Sequence, residues 1–143
     1  MMRVQITGLE SSLKKLKDNY DKAAQEIDAE MAATSESIVT TAKQILPANF
    51  GQLRSSLYSR GGKFNYVVGS NLDYAAYIEF GTGPYAARYV PSLEQEWQKY
   101  AATFKKEQPG NSVQHPYFYP SIKSWTIVLL DNIKRIITKY ERL

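Results

Sequence analysis

The chain has no cysteine and a single histidine, His115, among its 143 residues. Without cysteine it cannot form disulfides, thiolate metal sites or a thiol nucleophile, and one histidine cannot make a multi-histidine metal site. Most of the familiar catalytic constellations are thereby excluded, and we expect no catalytic residues and no metal site. His115 precedes a proline, and we predict that it is a loop residue that forms local hydrogen bonds.

Long apolar runs are also missing. No stretch approaches the ~18 apolar residues that cross a bilayer, and the N-terminal sequence MMRVQITGLE has neither the apolar core nor the cleavage site of a signal peptide. We therefore expect a protein that is made in the cytoplasm and has no membrane contact. A chain of this length with 43% hydrophobic residues is typical of one globular domain, which we predict to span residues 1–143.

Positive charge is in modest excess, with a net charge of +4. The excess lies in residues 51–143, which carry twelve basic and seven acidic side chains. A basic C-terminal half allows a second class of function, a small nucleic-acid-binding protein. Because the densest basic clusters are only pairs, such as Lys134-Arg135, ordinary solvated surface is the favoured explanation for them. Nucleic-acid binding is therefore kept as the alternative hypothesis.

Two periodicities organise the N-terminal part of the chain. Residues 3–6 alternate polar and apolar side chains, which predicts a short edge strand. Residues 9–45 predict a helix of up to ~37 residues and ~55 Å, which exceeds the width of a small domain. We therefore expect a kink near residues 34–41, or one end that is covered by another chain. The predicted buried stripe of this helix is Leu9, Leu13, Leu16, Tyr20, Ala24, Ile27, Met31, Thr34, Ile38, Ala42 and Ile45.

A hairpin and a short helix are predicted in the middle of the chain. The pair Gly61-Gly62 is a two-residue turn signal between limbs at residues 52–60 and 63–69. A helix of about two turns is predicted over residues 74–80. We expect Gly81 to end it in a left-handed conformation, which glycine adopts without steric cost.

Residues 84–115 are an excursion from this pattern. We predict a helix over residues 93–108, terminated by Pro109 and Gly110. The aromatic side chains of residues 84–110 have no evident place in a small core, so we expect this segment to contact a neighbouring subunit or another protein of the same assembly and to be mobile in the isolated protein. The aromatic residues concerned are Tyr85, Tyr89, Trp97, Tyr100 and Phe104.

The C-terminal helix is predicted to begin near Ser121, after the stiff segment 116–120. Three further apolar residues, Ile127, Val128 and Leu130, widen its apolar face, as does Ile137. We therefore expect the helix to be buried on more than one side. The predicted core stripe is Ile122, Trp125, Leu129, Ile133, Ile136 and Tyr140.

Three segments in fixed order carry a resemblance to a known family. The first is residues 51–57 (GQLRSSL), the second residues 74–83 (YAAYIEFGTG) and the third residues 116–121 (PYFYPS). Together they resemble the signature of the tailed-bacteriophage head-to-tail joining proteins, also called tail-completion, tail-terminator or neck proteins. The third segment departs from the usual pattern, since His115 stands where the family has glutamine.

The resemblance implies an α+β fold, in which a small, mainly antiparallel sheet is packed by a long N-terminal helix and a C-terminal helix. It implies a structural virion protein at the head–tail junction, made in the host bacterial cytoplasm, with no enzymatic activity and no cofactor. The implied partners are further copies of the chain in a ring, most often a hexamer, the tail-tube protein and the head connector or stopper protein. DNA would only pass through as cargo.

The motif positions of this family can be carried over one by one. We expect Glu79 and Arg54 to form a partly buried ion pair that fixes the second segment against the hairpin. A general base at Glu79 is not favoured, because no nucleophile is visible beside it. The residues assigned to the family motif or to an interface are Leu53, Arg54, Tyr74, Tyr77, Glu79, Phe80, Gly81, Thr82, Pro116, Phe118 and Pro120.

Overall fold

The computed structural model describes residues 2–7, 21–104 and 110–141. They form an α+β fold, as predicted, with a three-stranded sheet and two long helices. The elements in chain order are β1 (Met2–Ile6), α1 (Asp21–Ile45), a 3₁₀ turn (Ala48–Phe50), α2 (Gly51–Ser56), β2 (Leu57–Gly62), β3 (Asn65–Ser70), α3 (Ala75–Phe80), α4 (Gly83–Tyr89), a second 3₁₀ turn (Val90–Ser92), α5 (Gln95–Ala102) and α6 (Phe118–Glu141).

The sheet is antiparallel throughout, in the order β1-β3-β2. Strand β3 is central, and its Val68 pairs with Val4 on one side and with Ser59 on the other. The predicted edge strand is confirmed as β1, with Met2 fully buried. Central β3 is the most buried strand because both of its neighbours and the helices cover it.

The hairpin turn was predicted two residues too early. Gly61 and Gly62 lie within β2, opposite Tyr66 and Asn65, and the turn is Lys63-Phe64, with φ of 53° and 66°. Asp28 of α1 accounts for this placement, because its Oδ1 accepts the Phe64 N–H at 2.9 Å and the Tyr66 hydroxyl at 2.7 Å. A tertiary contact therefore stabilises positive φ at two non-glycine residues.

The first hairpin limb is also shorter than predicted. The strand begins at Leu57, and the preceding residues belong to the helix Gly51–Ser56. The Ser56 hydroxyl contacts the carbonyl of Leu53 at 2.6 Å and the hydroxyl of Ser70 at 2.6 Å. The last residue of α2 is thus hydrogen-bonded to the last residue of β3, and α2 does not pair with β3 as a strand would.

Helix α1 is a continuous α-helix from Asp21 to Ile45, about 37 Å long. Its buried face contains the predicted Ala24, Ile27, Met31, Thr34, Ile38 and Ala42. The predicted stripe is wrong at its C-terminal end, because Ile45 is 42% exposed and Leu46 is buried instead. The predicted extension over residues 9–20 lies outside the described residues.

Helices α1 and α6 pack side by side and antiparallel. Three side-chain hydrogen bonds run along their seam: Lys139 to Glu26 at 2.8 Å, Asn132 to Glu30 at 3.1 Å and Trp125 to Thr41 at 2.8 Å. Beneath them, Ile27, Met31, Tyr66, Leu129 and Ile133 form an apolar cluster. A second cluster lies around Phe80, Tyr117, Phe118, Leu53 and Val68.

The C-terminal helix differs from its prediction in two ways. It begins at Phe118, three residues before Ser121. Its outer face is not buried by the protomer, since Ile127, Val128 and Leu130 are 64%, 42% and 46% exposed. None of the helices in the described part of the chain is long and apolar enough to span a membrane.

The excursion at residues 84–115 folds onto the protomer. Instead of one helix over residues 93–108, it contains α4, a 3₁₀ turn and α5, and residues 105–109 lie outside the described residues. The expectation that its aromatics lack a place in the core was wrong for four of the five, since Tyr89, Trp97, Tyr100 and Phe104 pack against the core. The rings of Trp97, Tyr100 and Phe104 surround Phe80 at centroid distances of 6.2–6.4 Å.

Candidate functional site: a buried glutamate at the start of the C-terminal helix

Two of the three motif segments meet where α6 begins. Glu79, in α3, is fully buried, and its carboxyl group accepts three backbone hydrogen bonds. Oε1 accepts the N–H groups of Tyr117 at 3.0 Å and Phe118 at 2.7 Å, and Oε2 accepts that of Tyr119 at 3.2 Å. These N–H groups belong to the first turn of a helix, where no intrahelical acceptor exists. The Glu79 side chain, which belongs to α3, therefore caps the N-terminus of α6.

The proline at position 120 completes this cap. A helix leaves four N–H groups without intrahelical partners, and Glu79 takes three of those at the start of α6. The fourth position is Pro120, which has no N–H to satisfy. Pro116, half-buried, fixes the chain just ahead of the helix. Phe118 is fully buried in the core, so the first turn is anchored by both polar and apolar contacts.

The surroundings of Glu79 oppose its ionisation. Burial raises the pKa of Glu79 to about 7, although the three N–H donors act in the opposite direction. The titratable groups that face it are tyrosines. Burial, with a smaller contribution from the Glu79 charge, raises the pKa of Tyr89 and Tyr100 to about 12 and also raises the pKa of Tyr117. The Tyr117 hydroxyl donates to the carbonyl of Ala75 at 2.7 Å.

This pKa predicts how stability depends on pH. Because the pKa of Glu79 is higher in the folded state than its ordinary 4.5, folding favours the protonated form. The corresponding stability is fully present below pH 4.5 and is lost as pH rises through 7. Between these limits the wild type should lose about 3 kcal/mol of unfolding free energy relative to Glu79→Gln. Urea titrations of both proteins across this range would measure it, and parallel pH profiles would contradict it.

Residues 112–114, just before the third segment, pass close to Gly81, which follows Glu79 and Phe80. Gly81 ends α3 with φ 76° and ψ −177°, and its N–H donates to the carbonyl of Tyr77 at 2.8 Å. The positive φ was predicted, but this ψ lies in a region that only glycine populates, outside the left-handed helical region. A Cβ here would lie 3.0 Å from the Ser112 carbonyl oxygen and the Gln114 nitrogen.

The variant Gly81→Val should therefore lose about 2 kcal/mol or more of unfolding free energy, through backbone strain and the clash with residues 112–114. Thermal and urea unfolding of the variant would measure the loss. A suitable control is Gly62→Val, since a Cβ at Gly62 meets nothing within 4 Å. Equal unfolding midpoints for the two variants would contradict the assigned conformation.

Thr82 ties residues 110–116 to the second segment. Its hydroxyl oxygen accepts the Ser112 N–H at 2.7 Å, and its own N–H donates to the Ser112 carbonyl at 2.9 Å. One turn earlier, the Ile78 carbonyl accepts the His115 N–H at 2.7 Å. The His115 ring packs on Phe50 with a centroid distance of 5.2 Å. His115 lies in a loop, as predicted, but the prediction of local hydrogen bonds was wrong, because Phe50 and Ile78 are both distant in the sequence.

The ion pair expected between Arg54 and Glu79 does not form. The Arg54 guanidinium donates from Nη2 to the carbonyl of Leu46 at 2.7 Å, just past the end of α1. A cation at this position satisfies a terminal carbonyl and interacts favourably with the helix dipole. Glu79 thus caps the N-terminus of α6, and Arg54 caps the C-terminus of α1. Leu53, beside Arg54, is fully buried in the core.

The motif tyrosines lie apart from the cap. Tyr74 is 36% exposed, and its hydroxyl donates to Gln52 Oε1 at 3.3 Å. Tyr74 and Tyr77 line an open groove of about 430 Å³ together with Val113 and His115. These two residues are therefore surface positions next to the site.

The Glu79 site has a structural role. The Glu79 carboxyl has no exposed surface, and its hydrogen bonds go to the backbone, so it offers no face to a bound substrate. Sequence reasoning found Glu79 and Pro120 but missed their joint role and missed Tyr117, Tyr119 and Ser112. One signal was available: residues 114–117 contain no serine, threonine, aspartate or asparagine to cap a helix that starts at Phe118.

Comparison with known families agrees with the motif. The model of the HK97-gp10-like family, described as a bacteriophage tail component, matches residues 8–81, just over half of the chain. The match includes residues 51–57 and most of the second segment, and it ends at Gly81. No curated protein and no solved structure matches the chain.

Proposed function

Because the chain belongs to the HK97-gp10-like family of bacteriophage tail components, we propose that it completes the tail and joins it to the head connector as a subunit of a closed ring. Its partners are then other copies of itself, most simply in a hexamer, the tail-tube protein and the connector or stopper protein. The protein lies at the head–tail junction of the virion, and DNA passes through the ring. Residues 1–143 act as one tail-completion domain, without enzymatic activity.

The observation that carries this proposal is the contact between the motif segments. Residues 74–83 and 116–121 form one buried unit around Glu79, and residues 51–57 hold the end of α1 through Arg54. The motif of the joining proteins thus corresponds to one connected part of the fold. The outer face of α6 adds support, since an assembling subunit needs surface that the protomer leaves uncovered.

The alternative, nucleic-acid binding through the basic half, has less support. Three of the four basic residues of α6 are in ion pairs: Lys123 with Glu94 at 2.9 Å, Arg135 with Asp131 at 2.9 Å and Lys139 with Glu26 at 2.8 Å. These pairs reduce the net positive potential that a DNA phosphate backbone would meet.

Native mass spectrometry of the free protein and of isolated tails separates the two functions. A tail-completion subunit should give one closed oligomer, with a mass that is a fixed multiple of 16.3 kDa. The ring is sought on tails as well because assembly can require that template. Absence of an oligomer in both samples, with DNA retention that falls steeply with salt, would instead favour nucleic-acid binding.

A further inference from the structure

We propose that the exposed face of the three-stranded sheet lines the channel of the ring and contacts the phosphate backbone of the DNA that passes through it. This inference rests on the proposed function, because it names the surface of each subunit that meets the DNA. The occupant is duplex DNA, and the contact is independent of base sequence because it is made to phosphates.

The sheet has one covered face and one exposed face. Side chains alternate between the two faces of a strand, and directly opposed residues of neighbouring strands share a face. Tyr66 packs with residues of α1 and α6, so its face is the covered one. The opposite face carries the exposed residues Arg3, Gln5, Arg60 and Gly62 and the half-buried residues Tyr58, Asn65 and Val67.

The exposed face of the sheet is positively charged. Strands β1–β3 and the hairpin turn contain no aspartate or glutamate. Arg3 and Arg60 lie on the two edge strands, and neither is in an ion pair within the part of the chain that the structure describes. The face therefore presents two unpaired guanidinium groups, whereas most basic residues of α6 are already paired with carboxylates.

Contacts within the sheet orient Arg60. Its guanidinium carbon lies 5.2 Å from the centre of the Tyr58 ring, two residues earlier on the same face. The Tyr58 ring lies across Gly69 of β3, where a Cβ would come to 2.9 Å from the Tyr58 hydroxyl oxygen. A guanidinium that stacks on an aromatic ring keeps the N–H donors at its edge. These donors are therefore available to a phosphate.

The other edge of the face is fixed by Tyr100. Its hydroxyl accepts the Arg3 N–H at 2.7 Å and donates to the Arg3 carbonyl at 2.7 Å. The backbone of β1 is thus held where the Arg3 side chain leaves the sheet. On the same face, Gln5 Nε2 donates to Asn65 Oδ1 at 2.5 Å. Polar groups of the kind that contact phosphates therefore extend across all three strands.

The chemistry of this face favours DNA over a protein partner. The large exposed hydrophobic residues in the described part of the chain lie outside the sheet, as Ile127 and Leu130 of α6 do. The core of a protein–protein interface is apolar, whereas protein–DNA interfaces are polar and positively charged. Two arginines per copy become twelve around the channel of a hexamer, and such a ring of charge complements the DNA backbone.

The first test compares two double variants of equal net charge. One combines Arg3→Gln with Arg60→Gln, and the control combines Arg88→Gln with Lys134→Gln. Arg88 and Lys134 are exposed residues outside the sheet, and the Arg88 guanidinium also stacks on a tyrosine ring, at 5.4 Å. Circular dichroism and native mass spectrometry would confirm that both variants fold and assemble. Fluorescence anisotropy of a labelled duplex would then measure binding to the assembled protein across a salt series.

The sheet variant should bind the duplex at least about tenfold more weakly than the wild type and with a weaker salt dependence, because each lost phosphate contact removes about 0.9 from the slope. The control should bind within about twofold of the wild type. Equal affinities of the two variants would overturn the proposal, as would a wild-type ring that does not bind the duplex at low salt. If the sheet variant does not fold, the single variants Arg60→Gln and Arg88→Gln are compared instead.

The second test locates the DNA relative to the subunit. Because the chain has no cysteine, a photoreactive maleimide can be attached to a single-cysteine variant. Gln5→Cys should give protein–DNA adducts when the assembled protein is irradiated with duplex DNA. Thr40→Cys should give none, since Thr40 is exposed on the side of α1 that faces away from the sheet.

Adducts from Thr40→Cys alone, or from neither variant, would overturn the assignment of the sheet face. Either result would leave the ring itself intact, because wild-type assembly is measured separately. Failure of the wild type to assemble on tails would overturn both this inference and the proposed function.

Discussion

The variant Glu79→Ala should lose at least about 3 kcal/mol of unfolding free energy, because the first turn of α6 would lose the acceptor of three buried N–H groups. Each unsatisfied donor costs about 1–3 kcal/mol, and removal of the carboxyl group also leaves a cavity. Urea unfolding at about pH 4.5, where folded Glu79 is protonated and its stabilisation is fully present, followed by circular dichroism, would measure the loss for this variant and for its controls.

Two control variants distinguish loss of the helix cap from the general effect of replacing a glutamate. Glu79→Gln keeps one carbonyl oxygen for Tyr117 and Phe118, so it should lose only about 1–2 kcal/mol. Glu94→Ala removes an exposed glutamate with a surface ion pair and should change stability by less than about 1 kcal/mol. If Glu79→Ala is no less stable than Glu94→Ala, the cap does not support α6.

The variant Ile133→Asp should fail to fold. Ile133 is 5% exposed and packs with Ile27, Met31 and Leu129, where a carboxylate would be buried without a partner. The expected loss of more than about 4 kcal/mol is a large part of the stability of a domain this size. Ile127→Asp, in the same helix at 64% exposure, should fold normally. Far-UV circular dichroism distinguishes the two, and a folded Ile133→Asp would show that α6 is not part of the core.

Local patterns predicted the elements well. The alternation in residues 3–6, the stripe of α1 from Ala24 to Ala42 and the stop at Gly81 all appear in the structure. Each depends on side chains close together in the sequence, where the period of apolar residues or a glycine decides the backbone.

The features that sequence reasoning missed depend on contacts between distant residues. The hairpin turn is placed by Asp28, some 36 residues before Phe64. The Glu79 carboxyl meets N–H groups 38–40 residues away, and no local pattern links them. Apolar periodicity likewise identified the wide face of α6 but could not say whether the protomer or another chain covers it.

Immunogold electron microscopy of particles from cells that carry this gene tests the proposed role most directly. An antibody against the protein should label the junction between head and tail, at one site per particle, because a tail-completion ring is present once at that position. Label at the distal tip, along the tube or on the head would contradict this role, as would particles with complete tails that contain none of the protein.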